Sequence, residues 1–426
     1  MKTLINPSEE QLADLLVRPG IKTDDLEKIG RDIFTEVGKT GDAAVKKYTW
    51  YFDRVHLENL RVSPEELDKA ESMIREELKE AIRQAAGHIE AFHNGQKMKK
   101  CEYLNEAGFR CWMEVRGIER VGLYIPGGSA PLFSSVLMQA IPARIAGCRR
   151  IVMCTPPDRE GNVNPAILWT ARYCGVTEIY KIGGMQAIAA MVFGTQTVPK
   201  VYKIFGPGNQ YVTAAKQLAL QYGVAIDMPA GPSEVMVVAD ESSRPGFVAA
   251  DLLSQAEHGK DSQVILVTCC PEILPDVERE LERQLAVLPR REVAVAALQY
   301  AKFVVMPDIA GCIRVVNEYA PEHLILCVAD YKKYIPDIQN AGSVFLGNYS
   351  PESAGDYASG TNHTLPTAAY AKAYSGINLD AFIKKITFQE ITAAGLKYLA
   401  PVIMTMAENE QLLAHKNAVK VRMEDK

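Results

Sequence analysis

The chain has no apolar run long enough to span a lipid bilayer, and its opening residues, MKTLINPSEEQLADLL, lack the apolar core of a signal peptide. Its nine cysteines include no Cys-x-x-Cys pair, and the adjacent Cys269 and Cys270 would point to opposite sides of a strand. These absences argue against a membrane protein, a disulfide framework and a thiolate metal site. They predict a cytoplasmic protein with reduced thiols.

Neither sign of charge dominates the sequence. It has 47 lysines and arginines against 52 aspartates and glutamates, and the basic residues are scattered. This balance gives no electrostatic reason to expect a nucleic-acid partner. The common GxGxxG, GxxxxGK[ST] and HExxH motifs are also absent, which excludes a standard dinucleotide fingerprint but not a nucleotide bound in another way.

The 426 residues exceed one usual hydrophobic core, so two or three domains are expected. The first hundred residues have mostly helical patterns, including a capping-box start at Ser63 and a long amphipathic stretch towards Ala91. From Val121 onward, short β-branched runs alternate with helical patterns, which predicts parallel sheets built from βαβ units. The predicted strands are 121–125, 150–154, 178–182, 201–205, 234–238, 263–268, 302–306, 324–328 and 343–347.

One spacing suggests an internal repeat. Val121 to Arg150 and Glu234 to Gln263 each separate two strand starts by 29 residues. After Thr367 the pattern is helical again, with no strand signal. That tail is too short for a core of its own, so it is expected to pack on another surface.

Two glycine-rich turns follow predicted strands and precede helical patterns. They are Pro126-Gly127-Gly128-Ser129 and Gly206-Pro207-Gly208-Asn209. Their backbone N–H groups could meet phosphate oxygens, but ordinary βα turns use the same residues. The pattern alone therefore leaves both interpretations open.

Histidines with polar neighbours concentrate beyond residue 250. Gln255 and His258 are three residues apart on one helical face, which could be half of a metal site or an accident of sequence. Glu322 and His323 stand just before a buried strand, where such groups are unfavourable unless they are paired or functional. A hydrogen-bonded structural pair is the alternative.

Two further polar segments follow. Residues 350–363 form a long polar loop after a strand, and loops of this length are usually functional. In the tail, Glu410 and His415 are about 140° apart on an ideal helix. That angle suits two different contacts with one bound molecule better than two bonds to one metal.

Together these segments resemble histidinol dehydrogenases over nearly the whole chain, least clearly in the first hundred residues. The ordered motifs are VGLYIPGGSAPLFSSVLM, IGGMQAIAA, KIFGPGN, AGPSEV, SQAEHG, APEHL, GDYASGTNHTLPT and the terminal Glu410-x4-His415. The resemblance implies a cytoplasmic homodimer of histidine biosynthesis that oxidises L-histidinol through the aldehyde to L-histidine with two NAD and a zinc ion.

The implied fold is α/β, with two related, incomplete Rossmann-like parallel-sheet domains, a helical N-terminal segment and a C-terminal helical arm. The predicted domains are a segment 1–20, an α/β domain from 21–121 with 233–375 that carries the metal and catalytic residues, an NAD domain 122–232, and an arm 376–426 exchanged between subunits.

Carried over by position, the resemblance implies a set of site residues. The zinc ligands would be Gln255, His258, Asp356 and His415, the last supplied by the partner's tail. These four, together with Ser233, His323, His363 and Glu410, would bind the substrate, and Glu410 would reach its imidazole ring. The NAD contacts would be Tyr124, Gln186 and Asn209.

Proton transfer can be argued from chemistry. Oxidation of an alcohol needs a base, and His323 belongs to a suitable pKa class. The second oxidation needs a hydrated aldehyde, so Glu322 would activate water and His323 would deprotonate the gem-diol.

Other functions remain open. A related zinc and NAD dehydrogenase of another small polyol, such as sulfopropanediol, is the principal alternative, although an intact Glu410 favours an imidazole substrate. A zinc-binding regulatory protein would not need Glu322 and His323. A metal-dependent hydrolase would leave the nicotinamide contacts unexplained.

Overall fold

The protein is described from a computed structural model, which covers residues 2–18, 23–127, 130–176, 178–229 and 231–424. The strands are β1 Lys2–Ile5, β2 Glu102–Asn105, β3 Phe109–Gly117, β4 Arg120–Tyr124, β5 Arg150–Thr155, β6 Glu178–Lys181, β7 Lys203–Phe205, β8 Ala225–Ile226, β9 Glu234–Ala239, β10 Gln263–Thr268, β11 Lys302–Val305, β12 His323–Cys327, β13 Ser343–Leu346 and β14 Ile383–Ile391.

The α-helices are α1 Glu9–Leu16, α2 Thr23–Thr40, α3 Asp42–Asp53, α4 Pro64–Met73, α5 Glu76–Asn94, α6 Phe133–Ile145, α7 Pro165–Tyr173, α8 Gly184–Phe193, α9 Gln210–Gln221, α10 Pro245–Ala256, α11 Leu274–Leu285, α12 Arg291–Leu298, α13 Ile309–Tyr319, α14 Tyr331–Tyr334, α15 Glu352–Tyr357, α16 Ala393–Asn409 and α17 Leu413–Glu424. Among the described helices, none is long and apolar enough to cross a membrane.

Contacts divide the chain into two compact units. The first unit comprises Met1–Gln96 and Ile118–Phe382, and the second comprises Lys97–Gly117 and Ile383–Lys426. Both parallel sheets lie in the first unit. The predicted boundary between two α/β domains inside that unit stays a prediction.

The two parallel sheets of the first unit share one strand order. One sheet is arranged β6-β5-β4-β7-β8, and the other is arranged β11-β10-β9-β12-β13 with β1 added beside β11. In each sheet the first strand of the series is central, the next two lie on one side and the last two on the other. The predicted incomplete Rossmann-like pattern therefore occurs twice, once in each parallel sheet.

All nine predicted strands are confirmed, each within two residues at either end. Their strong signal has a physical cause, because helices cover both faces of a parallel sheet and its strands become continuous apolar runs. Every residue of β9 and β10 is buried.

The predicted helical region before Ala91 is confirmed but interrupted. The capping box at Ser63 is present, with Glu66 closing it. Ile74 then adopts an extended conformation, so the stretch forms two helices, α4 and α5. The N-terminal segment, predicted to be helical, contains α1 but also the strand β1.

The second unit consists of an antiparallel sheet, β14-β3-β2, and the helices α16 and α17, which pack against each other. The expectation of a tail without strands was wrong for Ile383–Ile391. This segment pairs with β3 along its whole length, from Ile383 opposite Gly117 to Ile391 opposite Phe109. Pairing with a distant strand, rather than local propensity, determines its conformation.

Candidate active site and cofactor cleft

A cluster of metal-ligand side chains lies at the amino ends of β9, β12 and β13. Gln255 is in the last turn of α10, and His258 follows just after the helix ends. The amide of Gln255 is fully buried, and neither its oxygen nor its nitrogen has a hydrogen-bond partner among the described residues. A buried amide without partners is costly, which indicates that a ligand completes it.

The polar segment 350–363 supplies carboxylates to this cluster. It is partly helical rather than a plain loop, because Glu352–Tyr357 forms the short helix α15. Asp356 places one carboxylate oxygen 3.9 Å from His258 Nε2 and the other 3.7 Å from His323 Nε2. Single ligand atoms of His258, Glu352 and Asp356 all lie within 4.8 Å of one another.

This donor set fits a divalent metal. Carboxylate, imidazole and amide groups are ligands that zinc, manganese and cobalt accept. Burial raises the pKa of Asp356 to about 7 and lowers the pKa of His258, so the cluster is short of positive charge without a cation. A bound dication would supply that charge and would hold Asp356 ionised.

Glu322 and His323 are buried beside the cluster. The helix α13 ends at Ala320 in a left-handed conformation, and Pro321 leads into β12, whose first residue is His323. Glu322 Oε2 accepts a hydrogen bond of 2.9 Å from the backbone N–H of Glu234. His323 Nδ1 lies 3.2 Å from the carbonyl oxygen of Glu234.

That carbonyl contact determines which ring nitrogen of His323 is free. A carbonyl oxygen only accepts, so Nδ1 carries the proton and Nε2 keeps its lone pair. Nε2 has no hydrogen-bond partner among the described residues and faces Asp356. Burial lowers the pKa of His323 to about 3, which keeps the ring neutral, and raises the pKa of Glu322. His323 is thus an available base.

Arg18 and Glu234 support Glu322 and His323 through hydrogen bonds. The sequence analysis did not identify either residue. The Arg18 guanidinium donates to both carboxylate oxygens of Glu234 and to the carbonyl of Tyr319, and it stacks on the Tyr319 ring. Glu234 starts β9, and its backbone bonds both Glu322 and His323. A charged residue at the start of a fully buried strand was the available signal.

His363 and Ser233 are two further residues that the resemblance assigns to substrate binding. His363 Nδ1 donates to the carbonyl of Asp356 at 2.9 Å, and its Nε2 lies 3.2 Å from Ser135 Oγ. Burial lowers the pKa of His363 to about 4. Ser233 directly precedes β9, half-buried.

Glu410 and His415 belong to the second unit. Glu410 caps the C-terminus of α16, and His415 lies in the first turn of α17. Both side chains are exposed.

A separate cavity of about 1530 Å³ opens at the carboxyl ends of the other parallel sheet, and Tyr124, Gln186 and Asn209 all line it. Tyr124 ends β4, and its hydroxyl accepts from the Gly184 N–H at 3.1 Å. Asn209 caps α9 by accepting from two backbone N–H groups of its first turn. The carboxyl edge of such a sheet is where nucleotides bind in open α/β folds.

The glycine-rich turn after β7 belongs to this cleft. Gly206 has a φ of +126°, and an added Cβ would collide with the Tyr124 carbonyl, so only glycine fits. Lys216 and Asp227, a buried ion pair, hold the carbonyl and the N–H of Gly206. In the other turn, Gly128 and Ser129 lie outside the described residues.

Comparison with known proteins gives a consistent result. A family model described as histidinol dehydrogenase matches residues 16–423. The chain is 58% identical over 425 residues to histidinol dehydrogenase of Bacteroides thetaiotaomicron, covering 99% of each chain. It is 50% identical over 427 residues to that of Yersinia pestis, covering 99% of this chain and 96% of the relative. The crystal structure of histidinol dehydrogenase from Elizabethkingia anophelis is similar, with a TM-score of 0.97 and 55% identity, covering 100% of this chain and 98% of that chain.

Proposed function

The chain belongs to the histidinol dehydrogenase family, oxidoreductases of histidine biosynthesis, and we propose that it oxidises L-histidinol through L-histidinaldehyde to L-histidine with two NAD and one zinc ion. The observation that carries this proposal is the free Nε2 of His323, a neutral buried base that faces a cluster of metal-ligand side chains. The identity of 58% to a full-length relative of the same activity supports the substrate.

In the first oxidation, His323 Nε2 accepts the hydroxyl proton of histidinol. NAD, when bound, accepts the hydride from the carbon, one NAD for each oxidation. The Glu234 carbonyl holds Nδ1–H, which fixes the ring tautomer before the reaction begins.

In the second oxidation, Glu322 takes a proton from a water molecule while the water oxygen bonds to the aldehyde carbon, and protonated His323 returns its proton to the former carbonyl oxygen, which gives the gem-diol. Neutral His323 then accepts a hydroxyl proton of that gem-diol. The carboxylate of Glu322 lies 3.7 Å from His323 Nδ1, which supports a role for both groups in one site. Burial raises the pKa of Glu322, which makes its carboxylate a stronger base.

The metal ligands are Gln255, His258 and Asp356, joined by His415 of the partner subunit. Zinc, when bound, supplies a Lewis acid that holds and orients the substrate. The orphaned amide of Gln255 and the 3.9 Å separation of His258 from Asp356 support this set.

The remaining assignments follow the same logic. Ser233, His363 and Glu410 contact the substrate, Glu410 from the exchanged arm of a homodimer. Tyr124, Gln186 and Asn209 hold NAD, which their shared cavity supports. The compartment is the cytoplasm, since all nine cysteines are free thiols.

The reaction predicts a stoichiometry. With L-histidinol, NAD and zinc, the protein should reduce about two NAD for each histidinol consumed, because the alcohol and the hydrated aldehyde each lose one hydride. Absorbance of the reduced cofactor and amino-acid analysis of the product measure the ratio. A ratio near one would contradict four-electron oxidation. Turnover of sulfopropanediol without turnover of histidinol would favour the polyol alternative.

The role of Glu322 predicts a difference between the half-reactions. Glu322→Gln should slow oxidation of L-histidinaldehyde by about 10²–10⁴-fold and slow the alcohol step much less, since only the aldehyde needs an activated water. Single-turnover rates from each starting substrate measure the two steps in the same variant. Equal slowing of both steps would argue against water activation by Glu322.

A further inference from the structure

Glu352, at the start of α15, is a buried carboxyl without a partner. Its exposure is 0%, and neither of its carboxylate oxygens has a hydrogen-bond partner among the described residues. An ionised carboxylate in such a place is strongly unfavourable unless a cation neutralises it. The proposed proton transfers do not use it.

The protein itself supplies no cation to Glu352. Among the described residues, no lysine or arginine lies within 4 Å of its carboxylate, and its one ion-pair neighbour is His323, whose Nδ1 is 3.7 Å away. His323 is neutral, and its Nδ1 proton is directed at the Glu234 carbonyl. The other charged groups that act on Glu352 are carboxyls, on Asp356, Glu322 and Asp251. An ionised Glu352 therefore needs a positive charge from a bound species.

The position of Glu352 indicates which species. Glu352 and Asp356 are four residues apart on α15, which puts them on the same face of the helix. One ligand atom from each, together with one ring nitrogen of His258, lie within 4.8 Å of one another. Donors that share one zinc ion at about 2.0–2.2 Å stand at most about 4.4 Å apart, so this cluster needs little contraction around a metal.

We propose that Glu352 is a direct ligand of the divalent metal in the substrate-free protein, where it joins Gln255, His258 and Asp356 as a fourth ligand from the same subunit. The inference rests on the proposed function, since it concerns the metal that holds histidinol. The inference also implies that substrate binding displaces Glu352 from the metal. In the proposed function, Gln255, His258, Asp356 and His415 of the partner subunit fill four positions, and we place the amine and the imidazole of histidinol at two more. A six-coordinate ion then has no position left for Glu352, so histidinol displaces it.

Metal affinity gives the first test. The purified protein is stripped of metal, and zinc is titrated in competition with a chromogenic chelator. Glu352→Gln should weaken zinc binding by about 100-fold or more, because loss of a residue that only supports a ligand costs about 10–100-fold. Glu352→Asp should retain part of the affinity. The matched control is Asp240→Asn, which removes a buried carboxyl just after the carboxyl end of β9 and does not act on Glu352, and it should stay within about threefold of wild type.

Cobalt gives the second test, because its d–d absorption reports the number of ligands. The Co²⁺-loaded wild type and Glu352→Gln should have different spectra without histidinol and the same spectrum with histidinol. A weaker affinity with unchanged spectra would mean that Glu352 acts from outside the coordination shell and would overturn the inference. Unchanged affinity with a raised KM for histidinol would assign Glu352 to the substrate's ammonium instead, and would also overturn it.

The ligand role of Glu352 and the zinc assignment of the proposed function can be tested separately. If wild type binds zinc and Glu352→Gln binds it equally well with the same cobalt spectrum, only the ligand role of Glu352 is wrong. If wild type itself binds neither zinc nor cobalt, the zinc assignment of the proposed function is wrong, and this inference is wrong with it. Circular dichroism of the metal-free variants establishes that each is folded.

Discussion

Replacing His323 by asparagine is expected to lower kcat for histidinol oxidation by about 10²–10⁴-fold, the usual contribution of a positioned general base. Asparagine offers an amide of comparable size but no basic nitrogen at the position of Nε2. That atom has no hydrogen-bond partner among the described residues and lies 3.7 Å from a carboxylate oxygen of Asp356, which the proposed function assigns to the metal. Steady-state rates at saturating histidinol and NAD measure the effect, and both oxidations should be slowed.

A second buried histidine provides the control. His93 is fully buried, and its Nδ1 also contacts a backbone carbonyl, that of Ile89, but it lies outside the ligand cluster. His93→Asn should therefore change kcat by less than about threefold. Zinc affinity, measured on both variants, separates loss of a base from loss of the metal. A decrease of less than tenfold for His323→Asn, with metal bound, would contradict the role of His323 as the base.

Mixing two inactive variants is expected to restore activity, if the arm is exchanged. His323→Asn alone and His415→Asn alone should each leave little activity, since every site of each homodimer lacks one group. In a hybrid dimer, one site contains both replacements and the other contains neither. A random mixture gives about half hybrids, each with one intact site of two, so about one quarter of wild-type activity should return.

The exchange needs its own controls. Subunits are unfolded together and refolded, and differently tagged chains are purified in sequence so that the fraction of hybrids is known. A mixture of His323→Asn with Glu322→Gln should recover nothing, because Glu322 and His323 are adjacent in one chain and serve the same site. No recovery from the His323 and His415 variants, with hybrids present, would mean that His415 acts within its own chain.

Much of the fold could be predicted because two of its three described sheets are parallel. Strands covered on both faces must be apolar throughout, and such runs are visible in one sequence without knowledge of their neighbours. The family could be predicted for a different reason. Eight motifs in a fixed order are far more specific than any one of them, and the match over residues 16–423 confirms that prediction.

The elements that were missed are those whose conformation depends on a distant partner. The residues of β14 are largely exposed and include four charged or amide side chains, so their pattern contains little strand signal until β3 lies alongside. The short strand β1 is similar, since it is defined only by its pairing with β11, three hundred residues away.

For the candidate site, the sequence by itself determined which metal-ligand and proton-transfer side chains the chain contains. It indicated Gln255 with His258 as a half-site, and Glu322 with His323 as groups that are unfavourable to bury without a function. The assignment of Asp356 and His415 came from resemblance. Their roles, like those of the other site residues, stay predictions for the experiments above.

Only the tertiary structure decided how those groups meet. The lone pair of His323 is on Nε2 because the carbonyl of Glu234, on a neighbouring strand, takes the other nitrogen. Arg18 supports that strand from the far N-terminal region, and Glu352 enters the cluster through one turn of helix beside Asp356. Hydrogen bonds, burial and charge balance act over a few ångströms between residues hundreds of positions apart, and those distances exist only in the folded chain.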